Sequence, residues 1–153
     1  MKRYIALILV VLMLAMTGCG SKEASVSMDV NAVYESMVSI MPEMLAMDEN
    51  MMLNFCGIEA DMCKQAKVAV CFDGLRADEI WLIEAADASA LEELKTLAEG
   101  RLERKGEESI TYSPEQYKVV EAAQVITAGN YLAVIVSPDA QALADIFNQA
   151  AEG

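Results

Sequence analysis

The chain has 153 residues, 55% of them hydrophobic, and 11 Lys+Arg against 24 Asp+Glu leave a net charge of −13. That length fits one ordinary domain and the apolar fraction excludes a disordered chain, while the acidity excludes a nucleic-acid binder, which needs clustered cations against phosphates. There is no histidine, which removes His-dependent triads, His-based zinc sites and the usual proton shuttle near neutral pH.

Lys2 and Arg3 open the chain, an uncharged apolar run follows from Tyr4 to Met16, and Met16-Thr17-Gly18-Cys19 closes it. A positive start, a short apolar run and small residues are the layout of an export signal. The run is shorter than the ~20 residues of a membrane span. A cysteine directly after Thr17-Gly18 resembles the lipobox of bacterial lipoproteins, in which the thiol is diacylglycerated and the chain is cut before it. The resemblance implies cleavage between Gly18 and Cys19, lipidation of Cys19, an extracytoplasmic location and a lipid anchor in the cell membrane, where two or three acyl chains hold stably. Gly20 to Met28 is small and polar and reads as a tether. The expected organisation is therefore signal 1–18, flexible tether 19–28 and a single domain 29–153. Without Lys2 and Arg3 the exported part carries nine cations against 24 acids, a charge of −15.

In the domain, Asp29 caps a helix whose apolar positions are Val30, Val33, Met37, Ile40/Met41 and Met44, with Pro42 ending or kinking it. Asp48 starts a short turn closed by Gly57. Val68 to Phe72 is a strand by composition, Asp73-Gly74 a turn, and Glu79 to Glu84 a second strand, together a hairpin. Asp87 caps a helix with the stripe Leu91, Leu94, Leu97/Ala98 and Leu102, its charges, Arg101 among them, on the wet side, and Gly106 as its end. Ser113-Pro114-Glu115-Gln116 is a helix start with an N1 proline and a capping-box glutamine. Gln124 to Thr127 and Tyr131 to Val136 are strands around the turn Ala128-Gly129-Asn130. Ser137-Pro138-Asp139 starts a last helix that buries Leu143, Ile146, Phe147 and Ala150.

The stretch from Trp81 to Leu91 echoes that from Ala133 to Leu143 at an offset of 52 residues. Two hairpin-plus-helix units predict an α+β domain: a four-stranded, mostly antiparallel sheet with an N-terminal helix and packed helices. Both faces of the central strands are apolar, whereas a sheet wet on one face alternates with polar residues. The N-terminal helix is the expected cover of the second face. A docking partner there is the alternative, with Trp81 and Tyr131 as the candidate interaction face.

The segments Met41-Pro42-Glu43-Met44, Asp48-Glu49-Asn50-Met51, Gly57-Ile58, Ala77-Asp78-Glu79-Ile80, Tyr112 to Tyr117, Gly129-Asn130-Tyr131 and Val136-Ser137-Pro138-Asp139 together resemble the domain of unknown function 4358, a family of small bacterial lipoproteins. The resemblance covers roughly 29–150. It implies export, lipidation and one α+β domain, and brings no catalytic residue with it.

Of 11 methionines, eight lie between Met28 and Met62. Met37, Met41, Met44 and Met47 have helical spacing, with Cys56 and Cys63 beyond. Such soft ligands suit Cu(I), but methionine also fills irregular core space, and Pro42 disturbs the convergence of four sulfurs. With Cys19 lipidated, Cys56, Cys63 and Cys71 remain, an odd number. Cys56 and Cys63 could bond across a turn, and Cys71 reads as a small buried hydrophobe. Asp73, Asp78 and Glu79 read as a solvated acidic turn, without the alternating ligands of a calcium loop. Phosphate-binding glycine loops and nucleophile elbows are absent. The sequence therefore leads to no catalytic residue, metal or cofactor. The expected function is a non-enzymatic, membrane-anchored module that binds an envelope protein; a small-molecule or soft-metal accessory lipoprotein is the alternative.

Overall fold

The computed structural model describes residues 26–153. In chain order the elements are α1 (Val30–Val38), β1 (Met44–Ala46), α2 (Glu49–Met51, continued by a π-helical turn, Met52–Cys56), a 3-10 turn (Ala60–Met62), β2 (Cys63–Cys71), β3 (Glu79–Ala85), α3 (Ala88–Tyr112), α4 (Pro114–Glu121), β4 (Gln124–Ala128), β5 (Tyr131–Val136) and α5 (Ala140–Glu152). The strands form one open sheet in the order β1-β2-β3-β5-β4, and every pairing is antiparallel.

The sheet has five strands, one more than the sequence predicts. The extra strand is β1, whose Met44, Leu45 and Ala46 pair with Cys71, Val70 and Ala69. Of these, Met44 continues the apolar spacing of the first helix in the sequence. That helix stops at Val38, ahead of Pro42, whose ring disfavours helical geometry in the residue before it. The backbone groups released downstream are satisfied by the free edge of β2. The third helix also departs from expectation. It runs through Gly106 to Tyr112, because α4 folds back along it: a Cβ on Gly106 would lie 3.8 Å from Tyr117 and 3.9 Å from Val120. An interior glycine costs roughly 0.5–1 kcal/mol of helix stability, less than the packing gained.

Three predicted aspartate caps form, whereas the last helix begins at Ala140 rather than at Pro138, and its N-cap Asp139 makes no side-chain cap bond. Asp29 Oδ1 accepts the N–H groups of Asn31 and Ala32, Asp48 Oδ1 that of Met51, and Asp87 Oδ1 that of Ala90. Gly57, at φ 76°, turns the chain out of the π-helical turn in the left-handed region that glycine tolerates best.

Both faces of the sheet are covered. On one, Ala69, Ile80, Leu82, Ala133 and Ile135 pack against Val33 and Met37 of α1 and Leu143 and Phe147 of α5. On the other, Val68, Trp81, Ile83, Leu132 and Val134 pack against Leu91, Leu94 and Ala98 of α3, with Met52, Cys56 and Ile58 beside them. The N-terminal helix is thus part of the cover, shared with α5.

Two residues assigned to the tether, Val26 and Met28, pack on the body. Met28 is 5% exposed, its N–H donates to Tyr131 Oη at 3.1 Å, and Val26 sits where a Cβ on Gly129 would come within 3.3 Å of it. The chain therefore joins the domain beside the β4–β5 turn. Glu84 pairs with Tyr131 near this end and Glu79 with Val136 at the other. The β2–β3 turn lies beyond Glu79, so the two turns stand at opposite ends of the sheet, separated by the length of β3, about 20 Å.

Candidate functional site

At the end of the sheet away from Val26, a cleft of about 620 Å³ opens between the β2–β3 turn, the C-terminal half of α3 and the start of α4. Its lining includes Leu75, Arg76, Lys105, Ser109, Tyr112 and Gln116. The turn is held on three sides. Asp73 Oδ1 accepts the N–H of Leu75, and the Asp73 carbonyl that of Arg76. Arg76 reaches Asp78 with two hydrogen bonds, at 3.0 and 3.2 Å. Gln116 Oε1 accepts the Ala77 N–H at 2.8 Å. That last contact replaces the capping box expected of Gln116; Ser113 Oγ still accepts the Gln116 N–H.

Beneath the cleft lies a buried ionic cluster. Glu79 is 1% exposed. Its Oε1 accepts from Trp81 Nε1 at 2.8 Å and from Arg101 Nε at 3.0 Å, and its Oε2 from Arg101 Nη2 at 2.8 Å. Lys105 Nζ stands 3.2 Å from the same Oε2. Burial pushes the Glu79 carboxyl up, but the hydrogen bonds and charge of Arg101, the charge of Lys105 and the Trp81 N–H outweigh it and hold it below the ordinary glutamate value. One acid thus faces two cations, and the cluster carries a net charge of +1 inside an acidic chain.

Asp78 and Glu79 are therefore no solvated acidic turn: both are 1% exposed and ion-paired. Arg101 likewise leaves the wet side of its helix. The sequence carried a signal for this. Leu94, Ala98, Arg101 and Lys105 follow one another at steps of three or four, so both cations continue the buried stripe.

The candidate interaction face is not a surface. Trp81 is fully buried and Tyr131 is 5% exposed, and they lie on opposite sides of the sheet, Trp81 under α3 and Tyr131 under α1 and α5. Each polar tip has an internal partner, Glu79 for the indole and Met28 for the phenol. Cys19 and Gly18 lie outside the described residues.

The methionine array is divided by the sheet. Met37, Met41 and Met44 pack on the α1 side, and Met47, Met52 and Met62 on the other with Cys56 and Cys63. Met47 Sδ and Cys56 Sγ stand 3.9 Å apart, and Met47, Met52 and Cys63 border a second cavity of about 380 Å³. Cys56, Cys63 and Cys71 are free thiols. Burial pushes the Cys56 thiol up to about 11, helped by the charge of Glu79. Burial, then Asp61, does the same for Cys63, also to about 11. Both therefore favour the protonated thiol at neutral pH, which makes them poor nucleophiles.

An antiparallel sheet covered by helices on both faces, with an open cleft at one end and an internally satisfied ionic cluster below it, defines a small α+β domain. The family model for the domain of unknown function DUF4358 matches residues 36–137, a span that contains all five strands, the ionic cluster and the cleft. The chain belongs to this family. No curated protein and no solved structure matches it.

Proposed function

We propose that this protein is a lipid-anchored extracytoplasmic lipoprotein whose domain is a non-enzymatic module that binds an envelope protein through the cleft between the β2–β3 turn, α3 and α4. The observation that carries this reading is the exposure of large apolar side chains around that cleft. Leu75 is 85% and Tyr112 87% exposed. An apolar rim around a cleft with convergent polar groups is the usual form of a recognition site. The Met16-Thr17-Gly18-Cys19 segment supports the anchor, and among the described residues no helix is long and apolar enough to cross a membrane. The chain enters the body beside Gly129, so the cleft points away from the anchored end.

Two measurements test it. A photo-crosslinking residue at Tyr112 on intact cells should give a discrete product that the same group at the exposed Asn148 of α5 does not. Identical products from both positions would sink the binding reading. Cys19→Ser should release the protein from the membrane fraction, and if it stays bound the anchor is wrong.

A further inference from the structure

We infer that the cleft recognises an acidic–apolar segment of its partner polypeptide, a carboxylate seated against Lys105 and Arg76 with an adjacent apolar side chain against Leu75 and Tyr112. This rests on the reading of the cleft as the binding site and names the chemistry of what enters it.

The charge inventory is the first argument. Glu79 is the single acid shared by Arg101 and Lys105, whose side chains are only 17% and 12% exposed. Glu108 on the cleft lining acts on Arg101 and offsets part of the excess positive charge, and a carboxylate in the cleft would offset more of it at Lys105. Lys105 carries three N–H donors, and its one ion-pair partner among the described residues is Glu79. Arg76 uses Nε and Nη2 on Asp78, leaving Nη1 without a protein partner among the described residues. Both groups line the cavity.

Charge stoichiometry is the second. Among the charged groups lining the cavity, Arg76 and Lys105 carry two positive charges and Glu108 one negative, a surplus of one unit that a carboxylate matches and a doubly charged phosphate exceeds. Glu108, the acid on the lining, makes none of the ion pairs among the described residues. It works against a ligand of higher charge, and it should weaken even a carboxylate somewhat.

The third is shape. A cavity of about 620 Å³ takes a few side chains rather than a whole domain, and Leu75 and Tyr112 stand exposed at its rim. A carboxylate flanked by an apolar residue meets both kinds of lining at once.

The probe is the capped peptide Ala-Phe-Glu-Leu-Ala and its twin with Gln in place of Glu, titrated into the ¹⁵N-labelled full chain in detergent and followed by amide shifts. The Glu peptide should move the amides of Arg76, Ser109, Tyr112 and Ser113 and bind about tenfold more tightly than the Gln twin, the worth of one charge-assisted hydrogen bond. Glu108→Gln, a change at the rim, should tighten the Glu peptide and leave the twin unchanged. Lys105→Met should shrink the difference between the peptides, leaving what Arg76 alone supplies. Tyr112→Ser should weaken both alike. Equal binding of the two peptides at the cleft overturns the carboxylate inference and leaves the cleft as the binding site. Shifts confined to other surfaces, or none, also overturn it; the Tyr112 crosslink then judges the site alone.

Discussion

Glu79 and Arg101 are 22 residues apart, and the guanidinium grips both carboxylate oxygens, at 3.0 Å to Oε1 and 2.8 Å to Oε2. This contact fastens the middle of α3 to the first residue of β3 and sets the floor of the cleft. Lys105, one turn further along α3, makes the clamp asymmetric in charge. Glu79→Gln keeps the shape and removes the charge, so two largely buried cations lose their counter-ion. We expect a loss of about 3–5 kcal/mol of stability, read as a lower midpoint in urea unfolding. A change under about 1 kcal/mol would mean the clamp is incidental.

The same clamp sets a pH dependence. The Glu79 carboxyl titrates below the ordinary glutamate value in the folded protein. Its contribution is therefore fully present above the unfolded value, about 4.3, and is lost as pH falls through the lower folded value. Unfolding free energy measured from pH 6 down to pH 2 should fall in the wild type below about pH 4. In Glu79→Gln that part of the decline should be missing. Parallel curves for the two proteins would contradict the assignment.

The thiols give a prediction of opposite sign. Cys56 and Cys63 titrate near 11 because burial disfavours the thiolate. Their contribution to stability is present below the ordinary thiol value of 9.0 and is lost as pH rises toward about 11. Alkylation by iodoacetamide should be slow at pH 8 in the folded protein, and Cys56, at 1% exposure, should be the slower of the two. After unfolding without reductant, all three of Cys56, Cys63 and Cys71 should label. Only one labelled thiol there would reveal a bond between two of them.

Much of the architecture was legible because local chemistry and tertiary packing agree. Asp29, Asp87 and Ser113 cap the helices they precede, and the apolar strands on both sides of the sheet implied cover on both. What was not legible depended on distant partners. Met44, Leu45 and Ala46 carry no strand pattern of their own; they become β1 because β2 offers an edge. Arg101 reads as a surface charge until Glu79 is placed beneath it. Trp81 and Tyr131 stand in the sequence as a candidate docking face because both faces of the central strands are apolar; their burial depends on partners for their polar tips, Glu79 two residues before Trp81 and the Met28 N–H 103 residues from Tyr131. The cleft was missed for the same reason, since Leu75, Tyr112 and Lys105 meet only once α3 has run past Gly106.

The start of the domain can be tested through Tyr131. Its hydroxyl accepts the N–H of Met28 across 103 residues, and Met28 is buried. Tyr131→Phe leaves that N–H without its partner at a cost of about 1–3 kcal/mol. Because the contact holds the segment that leads into α1 rather than the sheet, local opening should absorb the loss. Amide exchange at Met28 should accelerate roughly tenfold or more, while Ile80 and Leu132 exchange as before. Uniform acceleration across the sheet would show that this residue supports the core and not the chain entry.

Gln116 ties the turn to α4, and with it the shape of the cleft. Its Oε1 accepts the N–H of Ala77 at 2.8 Å, a residue 5% exposed, so no solvent stands ready to replace it. Gln116→Leu removes the acceptor and keeps the bulk. We expect a stability loss of about 1–3 kcal/mol and faster amide exchange at Leu75, Arg76 and Ala77, with the core strands unaffected. Gln116→Glu retains an acceptor and should restore slow exchange at Ala77, though its charge falls beside Arg76 and Lys105 and would occupy the cations of the cleft. The two variants separate geometry from charge. If Gln116→Glu binds the acidic peptide as well as the wild type does, the cations at the cleft are not what the peptide reads.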